Sequence, residues 1–214
     1  MLKKCLFIIT LLLFSSTLFA SERESMFVAG NTFVSFGAGA GLSFPPNVFH
    51  DATSKDEVVW NVGISLEHFL ADKVSFTAEL FYETLAMSYR YKHADTILTY
   101  DFGYITIPIG IRYVFSNSIF VGAGLYYGVR VRSDHYVTES GHKEHIILLN
   151  DQGNTAKERN DIGLFTDIGY NFTLSESSKL SLYLRSKSGV IELAEDHGIL
   201  ARAGTFNAAF SFMF

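Results

Sequence analysis

Five acidic and five basic side chains recur at alternating positions where they can act together: Glu67, Glu79, Glu83, Asp161 and Asp167 with Arg112, Arg130, Arg132, Arg185 and Lys187. Two carboxyls do acid–base work when their surroundings keep one of them protonated. Basic groups on the same face do the opposite and hold carboxylates ionised. The chemistry this pattern suits is mutual neutralisation, an ion-pair network that fills an interior. A gated or proton-conducting path is the functional alternative.

A second cluster is His135, His142 and His145, beside Asp134, Glu139 and Glu144. Imidazole and carboxylate together are ligands for zinc or copper. Their spacing matches no helical H-E-x-x-H site, so they read as solvated loop residues. His50, His93 and His197 also fall in loops and His68 near a turn, and nothing singles out a Ser–His–acid triad among them. No motif calls for a cofactor or a metal. The single cysteine, Cys5, lies in the N-terminal leader described below, which leaves no thiolate nucleophile and no disulfide.

What positions the charges is a period of two. Val34, Phe36, Ala38, Ala40 and Leu42 alternate with Ser35, Gly37, Gly39, Gly41 and Ser43. The same pattern runs through Trp60–Glu67, Val74–Glu83, Tyr104–Tyr113, Ile119–Arg130, Asp161–Phe172 and Leu180–Lys187, and the last strand runs from about Arg202 to Phe214. That makes eight strands. Their connections are short at Leu70–Asp72, Ser116–Asn117 and Ser175–Ser178, and mostly long at Pro45–Glu57, Ser133–Asn160 and Ile191–Ala201, with a small one near His93–Thr96. Tight turns at one end and longer loops at the other are the asymmetry of an outer-membrane barrel.

The leader fits that location. Met1–Lys4 carries two lysines, Cys5–Phe14 is apolar apart from Thr10, and Ser15–Ala20 ends on a small residue. This is the pattern of a secretory signal peptide, with removal expected after Ala20 and residues 21–214 forming one barrel domain. Loss of Lys3 and Lys4 leaves 15 basic residues against 22 acidic, a net charge near −7. With no basic cluster to track a phosphate backbone, nucleic acid is excluded as a partner.

The face that looks outward follows from volume. An eight-stranded barrel has an interior barely wide enough for its own side chains. The apolar face, rich in Phe, Tyr, Ile and Leu, is too bulky for that space, whereas the opposite face is Gly and Ser with isolated charges. The apolar face therefore meets lipid. Tyr113 with Phe115, Tyr170 with Phe172 and Phe212 with Phe214 then mark the periplasmic interface, and Trp60, Tyr82 and Tyr127 the outer one. In the terminal FNAAFSFMF, the even-numbered phenylalanines lie on the lipid face, and the last strand is expected to close against the first.

At this point the chain resembles the small OmpA/OmpX-like eight-stranded barrels of diderm outer membranes. The likeness covers essentially all of 32–214, and its motifs are the terminal Phe210, Phe212 and Phe214 and the Tyr104–Pro108 segment, Tyr-x-x-Ile-Pro. It implies an all-β antiparallel transmembrane barrel, with the terminal phenylalanines serving as the signal read by barrel-assembly machinery. The family spans structural proteins, adhesins, ligand carriers and a few lipid-modifying enzymes, so fold does not decide function. The deacylases among the last group use a His-x-Ser pair, and none of the seven histidines here has Ser two positions on.

A structural or surface-interaction role, such as adhesion through extracellular loops, is the expectation. A small-molecule or ion conduit is the alternative, and an enzyme the least favoured class. Within the longest loop, Ile146, Ile147, Leu148 and Leu149 form an apolar run. It either packs on a hairpin that continues beyond the bilayer or offers a patch to an extracellular ligand. The barrel reading itself has a simple check. Unheated protein should migrate differently from boiled protein on an SDS gel and should resist extraction by salt, and unchanged mobility with release by salt alone would overturn it.

Overall fold

The computed structural model describes residues 26–45, 51–91, 96–115, 118–139, 142–146, 160–192 and 200–214. The expected leader, 1–20, and three of the four loop-patch residues, Ile147, Leu148 and Leu149, lie outside these. The strands are β1 (Thr32–Ser43), β2 (Ala52–Lys55), β3 (Val58–Ala71), β4 (Val74–Tyr91), β5 (Thr96–Val114), β6 (Ile119–Glu139), β7 (His142–His145), β8 (Asp161–Ser175), β9 (Ser178–Glu192) and β10 (Leu200–Met213).

Eight of them close an antiparallel barrel in the order β4, β3, β1, β10, β9, β8, β6, β5, with β5 pairing back to β4. Closure is made by β1 and β10, in register from Phe33↔Met213 to Ser43↔Ala203. Phe214 adds one more bond, its amide donating to the Thr32 carbonyl at 3.0 Å. No edge remains in the ring, which is the condition for strands to cross hydrocarbon. The two extra strands sit above it. β2 lines up on the outer end of β4, and β7 folds back on β6 with Tyr136↔His145 and Glu139↔His142. Ile146 continues that hairpin, its amide donating to the His135 carbonyl at 2.9 Å.

Alternation sorts the faces as lipid requires. Phe36, Trp60, Ile107, Leu125, Leu184 and Phe212 are exposed on the outside, while Phe33, Ser35, Glu67, Ser75, Asp167 and Arg185 are buried inside. The interior is tight enough to need glycine. At Gly110 and Gly124 a Cβ would stand 2.8 and 2.7 Å from the Phe165 ring, which lies across both.

Apolar clusters stand at both ends. At the periplasmic end Phe33, Phe69, Val114, Phe120, Tyr183 and Ala209, from six strands, pack with Met26 and Phe27. Those last two belong to a segment tucked under the barrel before β1. The Gly30 amide donates to Phe69 O at 2.8 Å, the Phe69 amide to Asn31 O at 2.9 Å and the Lys73 amide to Phe27 O at 2.8 Å. Gly30 makes the turn with φ +92°, a conformation glycine adopts without strain. At the outer end Leu85, Met87, Tyr89, Tyr100, Phe102 and Tyr104 of β4 and β5 pack together, and Ala203 of β10 meets them from across the lumen.

The Phe165 contact gives a test of how full this interior is. Gly124→Leu should abolish the folded band seen on unheated SDS gels, because close-packed interiors accept little added volume. A normal folded band from this variant would show slack where none is expected.

Candidate functional site: the charged lumen

The charges between the two apolar layers form two tiers. In the lower tier Arg185 of β9 holds two carboxylates at once. Its Nε and Nη2 donate to the two oxygens of Asp167 on β8, each at 2.8 Å, and its Nη1 and Nη2 donate to Glu79 on β4 at 2.5 and 3.0 Å. Arg112 of β5 reaches Asp167 at 3.3 Å, Glu67 at 3.5 Å and Glu79 at 3.8 Å. Glu67 of β3 also takes Lys179 at 2.5 Å and the Ser75 hydroxyl at 2.6 Å. Three carboxylates face three cations, and the tier is neutral. The planar guanidinium fork lets one side chain bridge strands on opposite walls.

Aromatic rings complete the solvation of these cations. Arg112 lies 4.3 Å from the Phe120 ring centroid, Arg185 4.4 Å from Phe165 and Lys179 4.3 Å from Phe33. A buried ion without such partners costs several kcal/mol, so the tier holds together as a unit.

The upper tier is looser. Lys187 of β9 pairs with Glu83 of β4 at 2.7 Å and stands 3.8 Å from the Tyr126 ring centroid. Arg130 stacks on Phe102 at 4.2 Å and donates from Nε to the Tyr104 hydroxyl at 3.2 Å. Asp161 of β8 lines a cavity of about 20 Å³ together with Asn61, Glu83, Tyr126 and Lys187. Asn61 Oδ1, Tyr126 Oη and Asp161 Oδ1 are buried without direct protein hydrogen bonds. The cavity has room for about one water, and its lining brings these polar groups from three strands together.

Nine of the ten charges expected inside point into the lumen. Arg132 does not. Between Gly103↔Arg132 and Tyr104↔Arg130 the register of β5 and β6 shifts, leaving Val131 as the extra residue of a β-bulge. A bulge inverts the alternation beyond it, so Arg132 emerges on the outer face, 42% exposed, paired with Asp101 and, at 3.0 Å, with Asp134. Lys179 takes its place in the balance. Reading the β9 alternation two residues further toward the turn, past Ser181, would have found it.

The histidines diverge. His135 points inward and packs edge-on to Tyr100 and Phe102, at 5.4 and 5.8 Å between centroids. His142 and His145 are exposed on β7, with His145 against the Tyr136 ring at 5.6 Å. Among the described residues no group of three or more His, Cys, Asp or Glu side chains converges as a metal site. Burial pushes the Tyr100 phenol up to about 12, so the outer aromatic layer carries no charge there.

A closed eight-stranded ring with an apolar outer belt, a neutral charged filling and aromatic end layers defines a small outer-membrane barrel. A family model for the outer membrane protein beta-barrel domain matches residues 29–195, and the chain belongs to that family. Its place is the outer membrane. Among solved structures it is similar to OprG of Pseudomonas aeruginosa, at 12% identity over 89% of this chain and 98% of that one, with a TM-score of 0.53. Neisserial surface protein A gives 15% identity over 86% and 99% of the chains at a TM-score of 0.47. Ail of Yersinia pestis gives 10% identity over 86% and 100% at 0.44. These identities speak to the fold alone. A search of curated proteins finds no match.

The two arginines separate buried from exposed pairing. Arg112→Met should lower stability by about 3–5 kcal/mol, since it leaves the three carboxylates of the lower tier facing only Arg185 and Lys179. Arg132→Met should change it by no more than about 1 kcal/mol. Urea titration of the heat-modifiable band reads both, and equal effects would mean that the lumen is wet.

Proposed function

We propose that this protein acts through its exterior, as a sealed barrel that anchors an extracellular surface for structural or adhesive contacts. The observation that carries the reading is the lumen, occupied along its length by two apolar layers and two neutral charge tiers. A conduit needs a continuous wet path, and the lumen here is taken up by packed side chains apart from a cavity of about 20 Å³ beside Asp161. In this reading the protein transforms no substrate.

What remains available is the surface above the membrane. β4, β5 and β6 run on past the outer aromatic level, and β2 and β7 broaden that extension. Rigid scaffolds concentrate binding residues on such outer segments. Ile146, half-buried at the end of β7, begins the apolar run Ile146–Leu149 that we assign to the contact with an extracellular ligand. Phe210, Phe212 and Phe214, exposed on the lipid face of β10, are the residues we assign to recognition by barrel-assembly machinery.

Two measurements address the reading. Purified protein in a planar bilayer should give no steady single-channel current, whereas steady currents would favour a conduit. Deleting Gly141–Thr155 should abolish binding of whole cells to an extracellular matrix while preserving the heat-modifiable band. Adhesion that survives this deletion, and also survives trimming of Pro46–Lys55, leaves the surface-interaction reading without a site.

A further inference from the structure

The lipid-facing belt has a marked hollow. Where β1, β10, β9 and β8 run side by side, the register places Leu42, Gly204, Ser186 and Thr166 in one row across the outer face. The next row toward the periplasm is Ala40, Phe206, Leu184 and Ile168. Small residues in the first row and at Ala40 leave a groove of about 550 Å³, walled by Leu42, Phe44, Phe206, Leu184 and Ile168. Phe44 forms its roof, the ring lying 3.2 Å from where a Gly204 Cβ would be. The wall side chains that project most, Phe206, Leu184 and Ile168, are each more than half exposed. Paired strands separate the groove from the lumen, so it opens only to the bilayer.

Its depth is set by the aromatic levels. At the upper end Ala40 pairs with Trp60, which stacks on Tyr82 at 5.4 Å at the outer interface. At the lower end Thr166 lies four positions below Ile162, the partner of outer-interface Tyr127. It lies four positions above Tyr170, which stacks on Phe172 at the periplasmic interface. The groove thus descends from the outer interface to about mid-membrane, the depth of one leaflet.

We propose that this groove binds a fatty acyl chain of an outer-leaflet lipid. Three features select that occupant. The groove is continuous with the belt that already meets hydrocarbon, it spans a single leaflet, and its walls are apolar while its floor is small. A chain laid in it regains contacts that a flat strand surface offers on one side only, and dispersion gains of this kind accumulate over many methylenes. The hydroxyls of Ser186 and Thr166 on a lipid-facing floor are otherwise unexpected, since larger apolar side chains suit that face. Here their small size keeps the floor low.

The test fills the floor. Wild-type protein, the double variant Ser186→Leu/Thr166→Leu and the control Ala78→Leu are purified in detergent and titrated with dipalmitoyl phosphatidylcholine. Ala78 is a small residue on the same outer belt, between Leu66 and Ile109, away from the groove. All three should show the heat-modifiable band, since leucine suits a lipid-facing position. Native mass spectrometry should find one tightly held lipid on wild type and on Ala78→Leu, with affinity lower by about ten-fold or more on the double variant. Equal retention by all three overturns the proposal. So does a wild-type dimer that the double variant converts to monomer, which would make the groove a contact between copies of the chain.

Discussion

At membrane depth every backbone amide must find its partner within the protein, and the pairing of β1 with β10 is the contact that makes this possible. Without it two strands would present unsatisfied edges to hydrocarbon, at several kcal/mol for each group. Once it forms, the interior volume is determined by strand number and tilt. All that is polar on eight alternating strands must then fit a cylinder scarcely wider than one side chain. Glycines at 110 and 124, with Phe165 across them, show how little room is left.

That confinement explains why the filling is ionic and neutral. Each carboxylate of the lower tier meets at least one cation from a different strand, and Arg185 alone joins β4, β8 and β9. The interaction is non-local by construction, so the tier can form only when the barrel closes. The apolar end layers have a complementary role. They flank the tiers with apolar side chains, and in such low-dielectric surroundings these buried pairs are strong. The segment Met26–Asn31 belongs to the periplasmic layer, because Phe27 packs on Phe69 with centroids 5.7 Å apart.

The exterior divides into three functional zones. An apolar belt meets lipid, a hollow within it is the groove proposed for an acyl chain, and above the aromatic level the extended β4–β5–β6 sheet carries charge outward. The bulge at Val131 marks the boundary between the belt and that extension. By inverting the alternation of β6 it places Arg132 beside Asp101 and Asp134 outside, where water stabilises them, while His135 turns in to the aromatic layer.

The amino-acid sequence alone determined the eight barrel strands, the face that meets lipid and most of the charges that face inward, because a period of two is a local property that each strand displays by itself; β2, β7 and the end of β6 lie where it indicated loops. Trp60 and Tyr113 stand near strand ends, as the turns suggest, whereas Tyr82 lies mid-strand because β4 runs on to Tyr91. Only the tertiary structure decided which cation meets which carboxylate, because Glu67 and Lys179 are 112 residues apart and neither strand specifies the other. The same holds for Arg132, whose side depends on a one-residue shift between β5 and β6 that alternation within β6 cannot register. The groove too arises from rows running across four strands, so the smallness of Ser186 acquires meaning only beside Gly204 and Thr166. Local period follows from the chain; partnership across the barrel follows from closure.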